Sequence, residues 1–255
     1  GLMSGTSIDG IDAAFLKTDG LLHVETGEAI TIPYGVDLRK TLSELVSSGK
    51  QSKTVEEQIT VKHAEVISQL LTKTNTAVVE IDLIGFHGHT IYHKPDQRKT
   101  LQIGDGELLA KLTGVDVVCD FRSNDVKQGG QGAPLVPLYH QALAVRLEKP
   151  LAILNLGGVA NITWLGHKDD LLAFDTGPGN ALLDDYMDMQ LGEKQDTGGK
   201  LALSGNVDKS ILATFLEHPY FSKDSPKSLD RNEFDLNPVL KLSQADGAAT
   251  LCAFT

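Results

Sequence analysis

The sequence contains few cysteine and aromatic residues. Of its 255 residues, two are cysteines, one is a tryptophan, and 5% are aromatic. Cys119 and Cys252 stand in apolar stretches far apart in the chain. There is no CxxC pair, so neither a zinc site nor dithiol chemistry is indicated, and a small disulfide scaffold is excluded. Because unpaired cysteines are typical of reducing compartments, we expect a cytoplasmic location.

Long apolar runs and an excess of basic residues are also missing. No run reaches the roughly 20 apolar residues that cross a bilayer, and residues 1–20 lack the basic start and apolar core of a signal peptide. We therefore expect no membrane partner. The 34 acidic residues outnumber the 23 Lys and Arg residues, which gives a net charge of −11. This balance argues against a nucleic-acid partner, because phosphates require a basic surface.

The residues that are present predict a globular protein with mixed α/β structure, 41% hydrophobic and 22% charged. Apolar spacing predicts strands at 1–6, 11–16, 21–24, 29–32, 83–86, 100–103, 115–119, 151–156, 162–165 and 171–174. It predicts helices at 54–71, with Thr54 as N-cap, and at 107–112, 135–147 and 180–189. The second half repeats the layout of the first, and the glycine-rich segment 128–132 precedes a boundary. We expect two lobes, residues 1–134 and 135–255.

Three glycine-rich turns adjoin the predicted strands. The first, GTSIDGID at residues 5–12, offers backbone N–H groups and the hydroxyls of Thr6 and Ser7 to phosphate oxygens. Asp9 and Asp12 would then be outer partners of a magnesium ion bound to those phosphates. A tight hairpin turn without a ligand explains the same residues when this turn is taken alone.

The other two turns favour a phosphate site. NLGGVAN at residues 155–161 follows a predicted strand, and FDTGPGN at 174–180 leads from a strand into a helix. The latter places Asp175 at a strand end beside the free N–H groups of a helix start, which predicts a base next to an anion site. The sequence has no GxxxxGK[ST] motif, so a nucleotide would be held without a Walker lysine.

Two further blocks accompany these turns, residues 85–90 with 102–105 and residues 120–125 with 129–135. Together and in this order, the five segments resemble the anhydro-N-acetylmuramic acid kinases. The resemblance implies a two-lobed, actin-like (ribonuclease H-like) ATPase fold with mixed sheets and the active site in the cleft. It also implies an adenosine-binding turn beyond Thr255, so that the second lobe is incomplete in this chain. Phe86 and His89 depart from the Ser and Gln that are usual in the family.

The resemblance implies an activity and a set of site residues. ATP would phosphorylate 1,6-anhydro-N-acetylmuramic acid while water opens its anhydro ring, giving N-acetylmuramic acid 6-phosphate in cell-wall recycling. ATP, magnesium, an amino-sugar substrate and a homodimer are implied, with Asp175 as the catalytic base and Asp9 near magnesium. The implied ATP- and phosphate-binding residues are Gly5, Thr6, Ser7, Asp9, Gly10, Asp12, Asn155, Gly157, Gly158, Asn161 and Gly177. The implied substrate-binding residues are His87, Thr90, Arg122 and Asp125.

The residues themselves leave alternatives open. Asp175 would also serve as a helix cap, and Arg122 as part of a surface salt bridge. By strand alternation His87 and His89 share one face, which would suit a metal-dependent hydrolase if a third ligand joined them. His93 is expected at the surface. A non-catalytic, sugar-binding fragment of the same fold is the last alternative.

Overall fold

The chain divides into two compact units. The computed structural model describes residues 1–5, 7–168 and 170–255. Unit 1 is Gly1–Val145 and unit 2 is Arg146–Thr255. Each unit begins with three consecutive strands that pair antiparallel, in agreement with the repeated layout of the sequence. The lobes at 1–134 and 135–255 stay a prediction.

Unit 1 contains a mixed sheet of six strands within the described ranges. They are β1 (Leu2–Ser4), β2 (Gly10–Thr18), β3 (Val24–Pro33), β4 (Ile84–Lys94), β5 (Lys99–Ile103) and β6 (Val117–Cys119). Their order is β3-β2-β1-β4-β5, and β6 pairs with β4. Strand β4 runs parallel to β1 and β6 and antiparallel to β5. The predicted mixed α/β class is therefore confirmed.

The helices of unit 1 contact strands of this sheet. They are α1 (Val36–Ser48), α2 (Lys53–Thr74), α3 (Gly106–Thr113), α4 (Ser123–Gln128) and α5 (Pro137–Leu143). In α2 the buried apolar residues follow helical spacing, as predicted. The prediction of Thr54 as the N-cap is wrong. Ser52 occupies that position in extended conformation, and its hydroxyl accepts the Val55 N–H at 3.4 Å.

Several elements of unit 1 differ from the prediction. The two short strands predicted at 21–24 and 29–32 are one strand, β3, which pairs with β2 along its length. Gly27 allows this, because a Cβ there would stand 2.8 Å from the Cβ of Phe15. Helix α1 was not predicted, since its N-cap, Gly35, provides no side-chain cap. Helix α5 covers only part of the predicted helix at 135–147.

Unit 2 contains a three-stranded antiparallel sheet and a helical layer. The strands β7 (Leu151–Leu156), β8 (Ala160–Leu165) and β9 (Leu171–Gly177) pair in that order. The helices are α6 (Ala181–Leu191), α7 (Lys200–Ser204), α8 (Lys209–Leu216) and α9 (Gln244–Phe254). The predicted strands and the helix at 180–189 are confirmed with slightly different ends. Tyr186, Tyr220 and Leu251 are among the buried residues that pack between these elements.

The composition raised two questions, one about the environment of the cysteines and one about membrane-spanning helices. Cys119 ends β6 and Cys252 lies in α9, and both are free and exposed despite their apolar sequence neighbours. Within the described ranges, no helix combines the length and apolar character needed to cross a bilayer.

Helix α3 offers a direct test of the unit 1 core. Leu109 is fully buried and Leu112, on the same helix, is 49% exposed. We expect Leu109→Ala to lower the free energy of unfolding by about 2–5 kcal/mol, because it leaves a cavity. The matched control, Leu112→Ala, should cost under about 1 kcal/mol. Urea unfolding followed by far-UV circular dichroism measures both, and equal losses would contradict the different burial of Leu109 and Leu112.

Candidate active site

The first glycine-rich turn joins β1 to β2 and comprises residues 5–9 (the β1–β2 turn). The Ile8 N–H donates to the Gly5 carbonyl at 3.1 Å. The Ser7 hydroxyl donates to a carboxylate oxygen of Asp9 at 2.8 Å, and both side chains are exposed. Thr6, a predicted phosphate-binding residue, lies outside the described residues. The turn therefore presents hydroxyl, carboxylate and backbone groups to solvent.

Gly10 and Asp12, also predicted for this site, lie within β2. A Cβ on Gly10 would stand 2.5 Å from the carbonyl oxygen of Ile32, so a larger residue would displace β3. The exposed carboxylate of Asp12 accepts the hydroxyl of Thr31, its cross-strand neighbour, at 2.5 Å. Asp12 is thus held on the exposed face of the strand that follows the turn.

The predicted sugar-binding residue His87 lies in β4 at an irregularity. The register between β1 and β4 shifts there, and Gly88 has a φ of 73°. This bulge interrupts the alternation from which a common face for His87 and His89 was predicted. The two rings have different partners. His87 accepts a hydrogen bond from Arg122, whereas Nδ1 of His89 lies 2.8 Å from the Ser4 hydroxyl.

Arg122 joins β4 to the glycine-rich segment 128–132. Its Nε donates to Nε2 of His87 at 3.0 Å, and its Nη1 donates to the Gly132 carbonyl at 2.6 Å. Asp125 accepts the N–H of Gly132 through Oδ2 at 2.7 Å. Three of the predicted substrate-binding residues are therefore brought together around one loop.

His93 and Gln102 belong to the same network, although neither is among the predicted site residues. Nδ1 of His93 lies 2.9 Å from the Thr100 hydroxyl, and Nε2 lies 2.8 Å from the Gln131 carbonyl. The expectation of a surface histidine is wrong, because the ring is half-buried between β5 and the loop. Gln102 donates to the Thr90 hydroxyl at 3.3 Å. The polar alternation of Thr100 and Gln102 in β5 is a signal that could have found Gln102.

A small polar cavity adjoins this network. Its volume is about 220 Å³, and His87, Gln102, Asp120 and Ser123 are among the residues that line it. It combines a ring nitrogen, an amide, a carboxylate and a hydroxyl, which are the groups that bind sugar hydroxyls.

Three histidines of unit 1, His63, His87 and His89, are buried. The pKa of each is lowered from 6.5 to about 4, mainly by burial, and at His87 the positive charge of Arg122 contributes to this lowering. The rings are therefore neutral at neutral pH. In the part of the chain that the structure describes, no three His, Cys, Asp or Glu side chains are arranged to hold a metal. The hydrolase alternative lacks a ligand set there.

The two glycine-rich turns of unit 2 are hydrogen-bonded to each other. The N–H groups of Asn180 and Ala181 donate to the carbonyls of Gly157 and Gly158, at 2.8 and 3.0 Å. Gly179, with a φ of 58°, makes the approach possible, because a Cβ there would stand 2.5 Å from the Gly157 oxygen. The prediction of free N–H groups at this helix start is wrong for Asn180 and Ala181, since the turn carbonyls already accept them.

Asp175 lies in β9 and is 7% exposed. Its N–H donates to the Lys227 carbonyl at 3.0 Å, and its Oδ2 accepts the Leu229 N–H at 2.9 Å. The Tyr220 hydroxyl donates to its carbonyl oxygen at 2.5 Å. Helix α6 has Asn180 as its N-cap residue, so Asp175 does not cap that helix.

A row of polar residues crosses the sheet of unit 2 at the level of Asp175. Asn155 pairs with Asn161 across β7 and β8, and Asn161 pairs with Asp175 across β8 and β9. Oδ1 of Asn161 is buried and has no hydrogen-bond partner. A buried polar atom without a partner is uncommon, and it fits a position where a ligand or water supplies the missing bond.

Sequence comparisons show which protein family the chain resembles. The profile of the anhydro-N-acetylmuramic acid kinases matches residues 1–255. The chain belongs to this kinase family. The anhydro-N-acetylmuramic acid kinase of Paramagnetospirillum magneticum is 51% identical over 100% of this chain and 73% of its own length. Those of Rhodospirillum rubrum and Rhizorhabdus wittichii are 51% and 47% identical over 100% of this chain and 69% and 73% of their own lengths.

Family membership confirms the resemblance found in the sequence. Kinases of this family use ATP, and the mixed α/β structure agrees with an actin-like sugar kinase fold. The structure groups His87 with Arg122 and Asp125 in unit 1, and groups Asn161 with Asp175 in unit 2. The roles of these residues in this family member stay predictions.

The buried histidines predict a loss of stability in acid. The unfolded chain binds their protons near pH 6.5 and the folded unit only near pH 4. Their contribution to stability is therefore complete above about pH 6.5 and falls as the pH drops toward 4. His63→Phe should flatten the pH dependence of the urea midpoint, whereas His23→Gln, at an exposed histidine, should not. Parallel curves for His63→Phe and the unaltered chain would contradict this.

Because the unit 2 turns are in contact at Gly179, substitution of this glycine should lower the free energy of unfolding more than substitution of Gly192. These two glycines flank α6. Gly179 and Gly192 both have positive φ, at 58° and 68°, but a Cβ on Gly192 would meet nothing within 4 Å. Gly192→Ala should cost about 1–2 kcal/mol through its backbone conformation alone. Gly179→Ala should cost roughly 1–3 kcal/mol more, since it also forces the turns apart. Urea unfolding followed by fluorescence of Trp164, in β8, measures both, and equal costs would contradict the close approach.

Proposed function

We propose that this chain acts as an ATP-dependent kinase on 1,6-anhydro-N-acetylmuramic acid, the activity named for its relatives. The observation that carries the proposal is the family match over the whole chain. The grouping of polar residues around Asp175 and around Arg122 supports it. We place the reaction in the cytoplasm, which supplies ATP and keeps the two free cysteines reduced.

In the proposed reaction, water and ATP act on opposite ends of one bond. Water attacks the anomeric carbon, and the bond between this carbon and O6 breaks. The freed O6 attacks the γ-phosphorus, and the bond to the β,γ-bridging oxygen breaks to release ADP. The products are N-acetylmuramic acid 6-phosphate and ADP, and the water gives up one proton.

Asp175 is the proposed general base that takes this proton. Its backbone is fixed by the bonds to Lys227 and Tyr220, and its Oδ2 accepts the Leu229 N–H. A carboxylate with a fixed orientation can meet a water molecule without reorganising, which is the requirement for efficient proton transfer. The neighbouring amide of Asn161 would accept a hydrogen bond from the same water or from the sugar.

The phosphates of ATP are proposed to bind the glycine-rich turns. In the β1–β2 turn, Ser7 and backbone N–H groups are the proposed donors. Gly10 lets the backbone of β3 lie close to the strand that follows the turn. Magnesium prefers oxygen ligands, and the exposed Asp9 carboxylate is of that kind. Bound there, magnesium would neutralise charge on the transferred phosphoryl group. Asp12 would act as an outer partner of the same magnesium ion.

The proposed sugar contacts are His87, Thr90 and Arg122. Arg122 is held by His87 and by the Gly132 carbonyl, so its planar group is fixed in direction. A fixed guanidinium is suited to the lactyl carboxylate of the sugar or to a phosphate. The bond from Gly132 to Asp125 supports a role for Asp125 in fixing the loop beside Arg122. A homodimer and the absence of a nucleic-acid partner remain part of the proposal.

One assay separates the kinase from its alternatives. The chain is incubated with ATP, magnesium and the anhydro-sugar, and the products are identified by mass spectrometry. Equal amounts of 6-phosphorylated sugar and ADP support the kinase. An opened sugar without ADP, with stoichiometric zinc retained through dialysis, supports the hydrolase. Sugar binding without any product supports the non-catalytic alternative.

Replacing the proposed base gives a sharper test. Asp175→Asn should lower turnover by about 10²–10⁴-fold, the usual contribution of a general base, with the fold retained. The matched control is Asp188→Asn, at an exposed position on α6, which should retain activity. Initial rates of ADP formation measure both, and circular dichroism monitors folding. Activity of Asp175→Asn within about tenfold of the unaltered chain would contradict the assignment.

A further inference from the structure

Tyr34 contacts both ends of the β1–β2 turn. It directly follows β3, and its N–H donates to the carbonyl of Asp9, the last residue of the turn, at 3.1 Å. Its phenol oxygen lies 2.7 Å from the hydroxyl of Ser4, the residue that immediately precedes the turn. One residue, immediately after β3, therefore contacts both the residue before the turn and the last residue of the turn.

The contact is buried and continues to β4. Ser4 is 1% exposed, Tyr34 is 9% exposed, and His89 is fully buried. The Ser4 hydroxyl lies 2.8 Å from Nδ1 of His89, so three side chains form one hydrogen-bonded row. Burial and the charges of Asp9 and Asp12 raise the pKa of Tyr34 to about 12. The phenol therefore keeps its proton at neutral pH.

The turn needs such support because of its own conformation. Ile8 has a φ of 53°, which is unusual for a β-branched residue, and its side chain is buried in the core. Strained conformations of this kind persist only where surrounding contacts determine them. The bonds from Tyr34 to Ser4 and Asp9 are two such contacts.

We propose that Tyr34 is a positioning residue for the β1–β2 turn, holding it in the shape that receives the phosphates of ATP. The inference rests on the proposed nucleotide role of this turn. Tyr34 acts through Ser4 and Asp9, and it needs no contact with the nucleotide. The phenol bond shapes the start of the turn, and the backbone bond shapes its end.

Tyr34→Phe separates the two contacts. It keeps the ring in the core and the N–H bond to Asp9, and it removes the bond to Ser4. We expect Kd for magnesium tripolyphosphate, and for ATP, to rise about tenfold, as for the loss of one buried hydrogen bond. Ser4→Ala also removes the contact with His89, so it should raise both constants at least as much, and the double variant should be no weaker than Ser4→Ala alone. Tyr139→Phe, in α5, is the matched control and should leave both constants unchanged.

Calorimetry measures these constants without turnover, so the result does not depend on the kinase assay. A change of less than twofold in Tyr34→Phe overturns the inference, as does an equal loss of anhydro-sugar and tripolyphosphate affinity, which would indicate a general structural effect. An unaltered chain that binds neither ATP nor tripolyphosphate also overturns it. An unaltered chain that binds tripolyphosphate and forms no product overturns the proposed function alone.

Discussion

The close approach of backbone to backbone at glycine is the constraint on which both units depend. In unit 1, Gly10 lies against the backbone of Ile32 at the start of β2. In unit 2, Gly179 lies against Gly157 and Gly158, and this contact joins two turns that are distant in sequence. A Cβ at either position would overlap backbone atoms that cannot move aside as a flexible side chain does. The glycine-rich turns are therefore fixed by close backbone contacts beside the sheets.

Much of this arrangement could be predicted from the sequence, because the signals are local. The strands around NLGGVAN and FDTGPGN have apolar runs bounded by glycine, and the structure has β7, β8 and β9 there. Helix α2 has apolar residues at helical spacing, so its existence is clear from sequence, although its cap is Ser52 and not Thr54. Asp175 could be found because it ends an apolar run and precedes a glycine-rich turn.

Other parts of the site could not be predicted, because they depend on partners far away in the chain. His93 contacts Gln131, and the position of that carbonyl follows from the path of the whole loop. The bulge at Gly88 arises from pairing between β1 and β4, so alternation along β4 alone misplaces its histidines. Tyr34 has no motif around it, and its importance comes from where β3 ends relative to the β1–β2 turn.

The surroundings of Asp175 show how a buried aspartate is held in a chain of net negative charge. Among its bonds, the backbone N–H donates to the Lys227 carbonyl, the backbone carbonyl accepts the Tyr220 hydroxyl, and Oδ2 accepts the Leu229 N–H. Burial raises the pKa of Tyr220, and the negative charges of Asp175 and Glu233 raise it further, so the phenol stays a donor. Lys227 stabilises the segment in turn, since its Nζ donates to the Tyr220 carbonyl and lies 4.7 Å from the ring centroid. The Leu229 N–H therefore contacts the carboxylate directly, whereas the Lys227 carbonyl and the neutral Tyr220 phenol hold the backbone of Asp175.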